Sequence, residues 1–170
     1  FGQWVFSSDG PGQQPMGTSR PLHVLLVHVW YWPHVGGGDQ HVEQIGRELV
    51  RRGHRVTVWC ADVPAHEESR FRRGGVDVIR ITPSRLLGGV DPLVSVSDLD
   101  LSDVDVVHLH DTLPVLIRRT LSKAKKAGKP VVTTYHNDYV KKTALGRAVK
   151  RIRWALQGRR TMHSSDAGIV

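Results

Sequence analysis

The sequence predicts an α/β domain in which a mostly parallel sheet is covered by helices on both faces. Three observations carry that expectation: short β-branched apolar runs recur along the chain, helical periodicity lies between them, and turn residues separate the elements. With 170 residues there is room for one domain with a full hydrophobic core and little more.

Leu22 to Val29 is apolar without a polar face, as a strand buried on both sides requires, and predicts the first strand. Gly36, Gly37 and Gly38 then lead into a helix whose Val42, Ile45, Gly46 and Leu49 fall at i, i+3, i+4 and i+7. Asp39 is expected to cap its start, and Arg51, Arg52 and Gly53 mark its end. Arg55 to Cys60 is the second strand, Pro64 to Gly75 a charged loop, and the alternating run Val76 to Ile81 the third strand. Residues 82–103 contain Pro83, Gly88, Gly89 and Pro92 with no sustained period, so they read as loop with one helical turn at most. Asp105 to Leu109 is the fourth strand, Leu113 to Ala127 a helix closed by Gly128, and Pro130 to Tyr135 the fifth strand. A basic helix is expected over 142–158, and Ala167 to Val170 begins another strand.

Hydrophobic residues make up 39% and charged residues 24%, an ordinary globular balance, and no apolar run approaches the roughly 20 residues a spanning helix needs. Cys60 is the single cysteine, which excludes an internal disulfide and fits a reducing cytoplasm. The formal net charge of +8, from 24 Lys+Arg against 16 Asp+Glu, favours phosphate-bearing partners without choosing among them. Residues 1–20 are rich in Gly, Ser, Gln and Pro and read as a disordered leader, with Met16 as a natural start, leaving 21–170 as the domain.

Open parallel sheets bind ligands beyond the carboxyl ends of their strands, so the residues there are the candidates. At the first strand end, Gly36, Gly37, Gly38 and Asp39 precede a helix start, where glycines admit a close ligand and free amides favour an anion; a flexible turn is the plain alternative. The run is not a dinucleotide fingerprint, because G-x-G-x-x-G counted from Gly36 needs glycine where His41 stands, and the absence of G-K-[ST] excludes a P-loop. Asp62 ends the second strand like the ribose-binding acid of dinucleotide folds, but without its partner motif. His108 and His110, two apart, share one face of the fourth strand. Such a pair suits metal ligation, proton transfer or hydrogen bonding, or is a polar strand end and nothing more. The fifth strand brings Tyr135, His136, Asn137 and Asp138 to the same edge, and that convergence favours a site.

In order, the chain reads W-P-H-x-G-G (Trp32 to Gly37), His41 in the helix, R-R-G-H-R-V-T-V (Arg51 to Val58), G-V-D-V-I-R (Gly75 to Arg80), D-V-V-H-L-H-D (Asp105 to Asp111) and P-V-V-T-T-Y-H-N-D (Pro130 to Asp138). This series resembles the amino-terminal domain of family-four glycosyltransferases over about residues 22–170. The resemblance implies a Rossmann-like three-layer sandwich, the amino-terminal half of a GT-B fold. It implies a retaining hexosyltransferase that moves a sugar from a nucleotide-diphosphate sugar to a glycan or lipid-linked acceptor, in polysaccharide or glycolipid synthesis. It further implies His110 as the catalytic candidate near the transferred sugar, and Gly36, Gly37, Gly38, Asp39, His136 and Asp138 as donor- or acceptor-binding positions. Asp39 stands where the family usually has glutamate, and Gly38 adds a third glycine. The family's donor machinery, an Arg/Lys pair and an E-x7-E motif in a second Rossmann domain, has no counterpart in these residues. The chain is therefore expected to be the acceptor-side half, without a cofactor or metal of its own and inactive alone, its donor domain supplied in cis or by another chain.

Lys141, Lys142, Arg147, Lys150, Arg151 and Arg153 surround Ile152, Trp154 and Leu156. Such a helix either lies on an anionic membrane, as on the inner face of the plasma membrane, or packs its apolar side onto the sheet. Two rivals remain: a metal-dependent hydrolase using His108, His110, His136 and Asp138, and a nucleic-acid-binding module resting on charge alone, for which no motif or stacking platform is present.

Overall fold

The computed structural model describes residues 20–87, 91–111, 114–135, 151–152 and 154–169. Its elements in chain order are β1 (His23–Val27), α1 (Gly37–Arg51), β2 (Arg55–Ala61), β3 (Arg70–Arg73), β4 (Val76–Ile81), β5 (Arg85–Leu87), β6 (Asp91–Leu93), β7 (Val106–His110), α2 (Val115–Lys126), β8 (Val131–Thr134), a π-helical turn over Trp154–Gly158, α3 (Arg159–Ser164) and β9 (Ala167–Ile169). Among the described residues the main sheet has seven strands in the order β3-β4-β2-β1-β7-β8-β9, and β5 pairs with β6 in a small second sheet. Every neighbouring pair of the main sheet is parallel except β3 with β4.

All five residues of β1 are buried, as a strand sandwiched between helix layers must be. Alternation sends its side chains to two separate clusters. Leu25 and Val27 join Trp59, Val107, Leu109 and the α2 residues Leu116 and Ile117. Val24 and Leu26 join Val56, Val58, Cys60, Val76, Val78 and the α1 residue Val42. Each such side chain stabilises the fold by roughly 1.5–3 kcal/mol, so the central strand anchors both layers at once. On the α1 side, Gly46 lets the helix approach closely, since a Cβ there would lie 3.1 Å from Val76 Cγ2. Burial pushes the Cys60 thiol up to about 12, which keeps it protonated and unreactive.

The expected strands and the first two helices stand where the periodicity put them, with ends shifted by a residue or two. Two expectations are corrected. The charged stretch Pro64 to Gly75 is not all loop: Arg70–Arg73 forms an antiparallel edge strand joined to β4 through Gly74 and Gly75, both at positive φ (58° and 83°). That geometry is the two-residue turn whose twist suits a hairpin, and a row of arginines is what a solvent-facing edge strand tolerates. Among the described residues of 82–103 the regular structure is the antiparallel pair β5–β6 rather than a helical turn. The basic helix expected over 142–158 lies largely outside the described residues; its described end is the π-helical turn Trp154–Gly158, and α3 carries helical structure past the expected end. Trp154 packs against Tyr135 with ring centroids 4.4 Å apart, so that part of its apolar side is turned onto the sheet edge.

Candidate functional site

The chain winds outward from the middle of the sheet, β1 pairing with β2 on one side and with β7 on the other. The strand order reverses between β1 and β7, and the ligand crevice of an open sheet lies at that switch point, beyond the carboxyl ends.

His28 follows β1 directly and reaches across this point. Its Nδ1 is 3.0 Å from the backbone carbonyl oxygen of His110 and its Nε2 is 3.1 Å from Asp39 Oδ1. Both neighbours are acceptors, and only the doubly protonated ring donates to both. The other carboxylate oxygen of Asp39 receives a short hydrogen bond from His34 Nδ1. Asp39 is buried, which pushes its carboxyl up; the hydrogen bonds from His28 and His34 outweigh that and hold it below its ordinary value of 3.8. The carboxylate thus ties the loop after β1 to the strand end.

This corrects the expectation that Asp39 caps α1. The cap residue is Gly36, and no side chain closes the helix start. Asp39 stands third in the helix, where its charge still suits the positive end of the dipole while its oxygens serve the two histidines.

The three glycines have different reasons to be there. A Cβ on Gly38 would sit 2.8 Å from His28 Nε2, and one on Gly36 would sit 3.2 Å from Asp39 Oδ2. A Cβ on Gly37 would meet nothing within 4 Å. Gly38 is therefore demanded by packing around the Asp39 network, Gly36 lies close against it, and Gly37 borders open space.

His110 is fully buried, with the rings of His108 at 4.2 Å and of His41 at 5.8 Å between centroids. The glycine loop and His110 are thus on one rim, and His110 itself has no exposed surface. His108 shares its face and is 2.8 Å from Thr134 Oγ1 on β8. Asp111 has φ of 106°, a left-handed conformation that costs a non-glycine residue of order 1–3 kcal/mol and concentrates at functional sites. The loop before the glycines is held from beneath: the buried Arg80 donates to the carbonyl oxygens of Trp32 at 2.9 Å and Glu68 at 2.8 Å. Trp30 stacks on His34 at 5.3 Å. Asp62 accepts from the backbone N–H of His66 at 3.0 Å, so it braces its own loop.

His136, Asp138, Lys141, Lys142, Arg147, Lys150 and Arg153 lie outside the described residues. Of the basic set, Arg151 is described and exposed, beside Ile152 at 58% exposure. Sequence reasoning assigns no role to His28, and none to His34 beyond its place in the Trp32 to Gly37 run, because neither belongs to a spaced pair; the signal is their separation of six residues on either side of a strand-to-loop turn, with an acid just inside the helix. The hydrolase alternative gains no support. Among the described residues, no three of His, Cys, Asp or Glu are arranged to hold a metal ion.

A parallel sheet with a polar network at its switch point defines a ligand-binding domain of the open α/β class. Residues 35–170 match the model of Glycosyltransferase Family 4, and the chain belongs to that family as its amino-terminal domain. It is 28% identical over 132 residues to a phosphatidylinositol N-acetylglucosaminyltransferase subunit of Arabidopsis thaliana, covering 73% of this chain and 29% of the relative. It is 32% identical over 126 residues to a GDP-mannose-dependent alpha-mannosyltransferase of Mycobacterium tuberculosis (strain CDC 1551 / Oshkosh), covering 69% and 32%. The chain thus spans about a third of these relatives' length or less. Among solved structures, the calicheamicin glycosyltransferase CalG4 overlaps 79% of this chain and 37% of its own, at TM-score 0.46 and 19% identity.

Proposed function

We propose that this chain is the acceptor-side half of a retaining glycosyltransferase, which presents a hydroxyl of a glycan or lipid-linked acceptor to a sugar carried by a nucleotide diphosphate. The observation that carries the reading is the network at the switch point, where the glycine loop, Asp39, His28 just after β1 and His110 of β7 share one rim. With a diphosphate leaving group the chemistry needs positioning and charge stabilisation more than a covalent intermediate, and this rim supplies positioning. The donor site belongs to a second Rossmann domain, in cis or on a separate chain, and residues 21–170 transfer no sugar without it. The relatives' names support both ends of the reaction: one is named for phosphatidylinositol and N-acetylglucosamine, the other for GDP-mannose.

Saturation-transfer NMR with methyl α-mannoside, N-acetylglucosamine and myo-inositol tests the acceptor assignment. At least one should receive magnetisation from the chain, and Gly37→Leu, which fills the open space beside the helix start, should abolish the signal. No transfer to any of the three removes the assignment.

Lipid-linked acceptors place the work at a membrane, and peripheral contact through Arg151, Ile152 and the neighbouring basic residues follows from that reading. No helix among the described residues is long and apolar enough to cross a bilayer. The chain should co-sediment with phosphatidylserine-containing liposomes at low salt and be released at high salt; failure to bind at low salt sinks this part.

A further inference from the structure

We propose that His34 is the residue of the β1–α1 loop that receives the acceptor's hydroxyl, accepting its hydrogen bond at Nε2 while Asp39 holds the ring in the tautomer that allows it. The proposal rests on the acceptor-side reading above and assigns it a residue and an atom.

The tautomer follows from the partner. Asp39 Oδ2 is a carboxylate oxygen that can only accept, so the proton of that bond sits on His34 Nδ1, and in the neutral ring Nε2 then carries the lone pair. His28 donates to the same carboxylate from its other side, and its two-fold engagement keeps the carboxylate charged in a buried place. Trp30, stacked on His34 at 5.3 Å with 27° between the planes, fixes the ring's orientation. A ring held on one edge and one face has little rotamer freedom left to lose when a ligand arrives.

Access is the second part of the argument. The His34 side chain is 47% exposed, whereas His28 and His110 are buried. Among the described residues Nε2 of His34 has no hydrogen-bond partner. The ring borders the glycine loop, its Cε1 lying 3.4 Å from where a Cβ of Gly36 would be, and next to Gly36 stands Gly37 with open space around it. A sugar or polyol hydroxyl approaching that space can donate its proton in a hydrogen bond to Nε2. Its oxygen keeps its remaining lone pairs directed elsewhere, as a group about to be glycosylated requires. A neutral imidazole acceptor beside an open glycine suits an uncharged hydroxyl and not a phosphate, which would need donors.

Long-range ¹H–¹⁵N correlation spectra of the full chain at neutral pH read the tautomer directly. His34 should show a protonated Nδ1 and a bare Nε2, and methyl α-mannoside or myo-inositol should move the Nε2 resonance. His34→Phe keeps the stack on Trp30 but removes the acceptor atom, and should weaken sugar binding about tenfold, the equivalent of one hydrogen bond. His34→Gln, whose amide oxygen reaches a similar point, should recover most of the loss. A protonated Nε2 in the free chain, or unchanged sugar binding in His34→Phe, overturns the proposal and leaves the acceptor-side assignment standing. If the unaltered chain binds neither probe, both fail together.

Discussion

Asp39→Ala should lower the unfolding free energy by about 3–5 kcal/mol, the cost of removing one partner from a buried, hydrogen-bonded charge pair. The side chain it leaves behind is the reason for the size. His28 is 10% exposed, still bonded to the carbonyl of His110, and would face an apolar methyl where a carboxylate stood. His34 would lose its tether as well, but it is half-exposed and water replaces the lost partner, so its share is small. Asp39→Asn, which keeps one acceptor oxygen, should cost less with the same sign. Urea unfolding followed by circular dichroism measures both, and an Asp39→Ala midpoint equal to that of the unaltered chain contradicts the network. The same pair sets an acid limit. The folded carboxyl titrates below its ordinary 3.8, so its stabilisation is complete above that value and disappears as the pH falls through the lower, folded one.

Two neighbouring glycines should respond with opposite signs. In Gly38→Ala the new methyl would lie 2.8 Å from His28 Nε2, and His28 cannot swing away without breaking its bonds to Asp39 and to the carbonyl of His110. Overpacking of this kind costs typically 1–3 kcal/mol, and here it also spoils the network that positions His34. Gly37→Ala meets nothing within 4 Å and sits at the first residue of α1, so it should be neutral or gain up to roughly 1 kcal/mol by restricting the unfolded chain. Thermal melts of the two single variants side by side make the comparison. Equal shifts would mean that the close approach of Gly38 to His28 is not real.

Periodicity makes the sheet legible because the central strands are buried on two faces, and burial on two faces leaves an unbroken apolar run such as Val24 to Val27. It fails where exposure removes that signal. Arg70–Arg73 is an edge strand whose Arg70 and Arg72 face water, and its pairing comes from the Gly74–Gly75 turn rather than from a run of apolar residues. The site shows the same division. Glycines 36 to 38, Asp39 and His110 stand out because they lie at strand ends in a recognisable order, but what each does there is not visible in the order. Asp39 has the position of a helix cap, and only the fold turns its carboxylate toward His28, a residue at no regular period from it. His110 has the position of an open strand end, and only the fold packs its ring against those of His41 and His108.

By itself, then, the order of apolar runs and turn residues determined the mostly parallel α/β architecture, since that depends on local periodicity and on which element follows which, while the motif series from Trp32 to Asp138 carried the resemblance to the family. Only the tertiary structure decided which histidine is accessible, which is sealed, and which glycine is required. Those depend on distances between residues brought together from β1, α1 and β7, and burial is a property of the assembled neighbours that no single stretch of sequence carries.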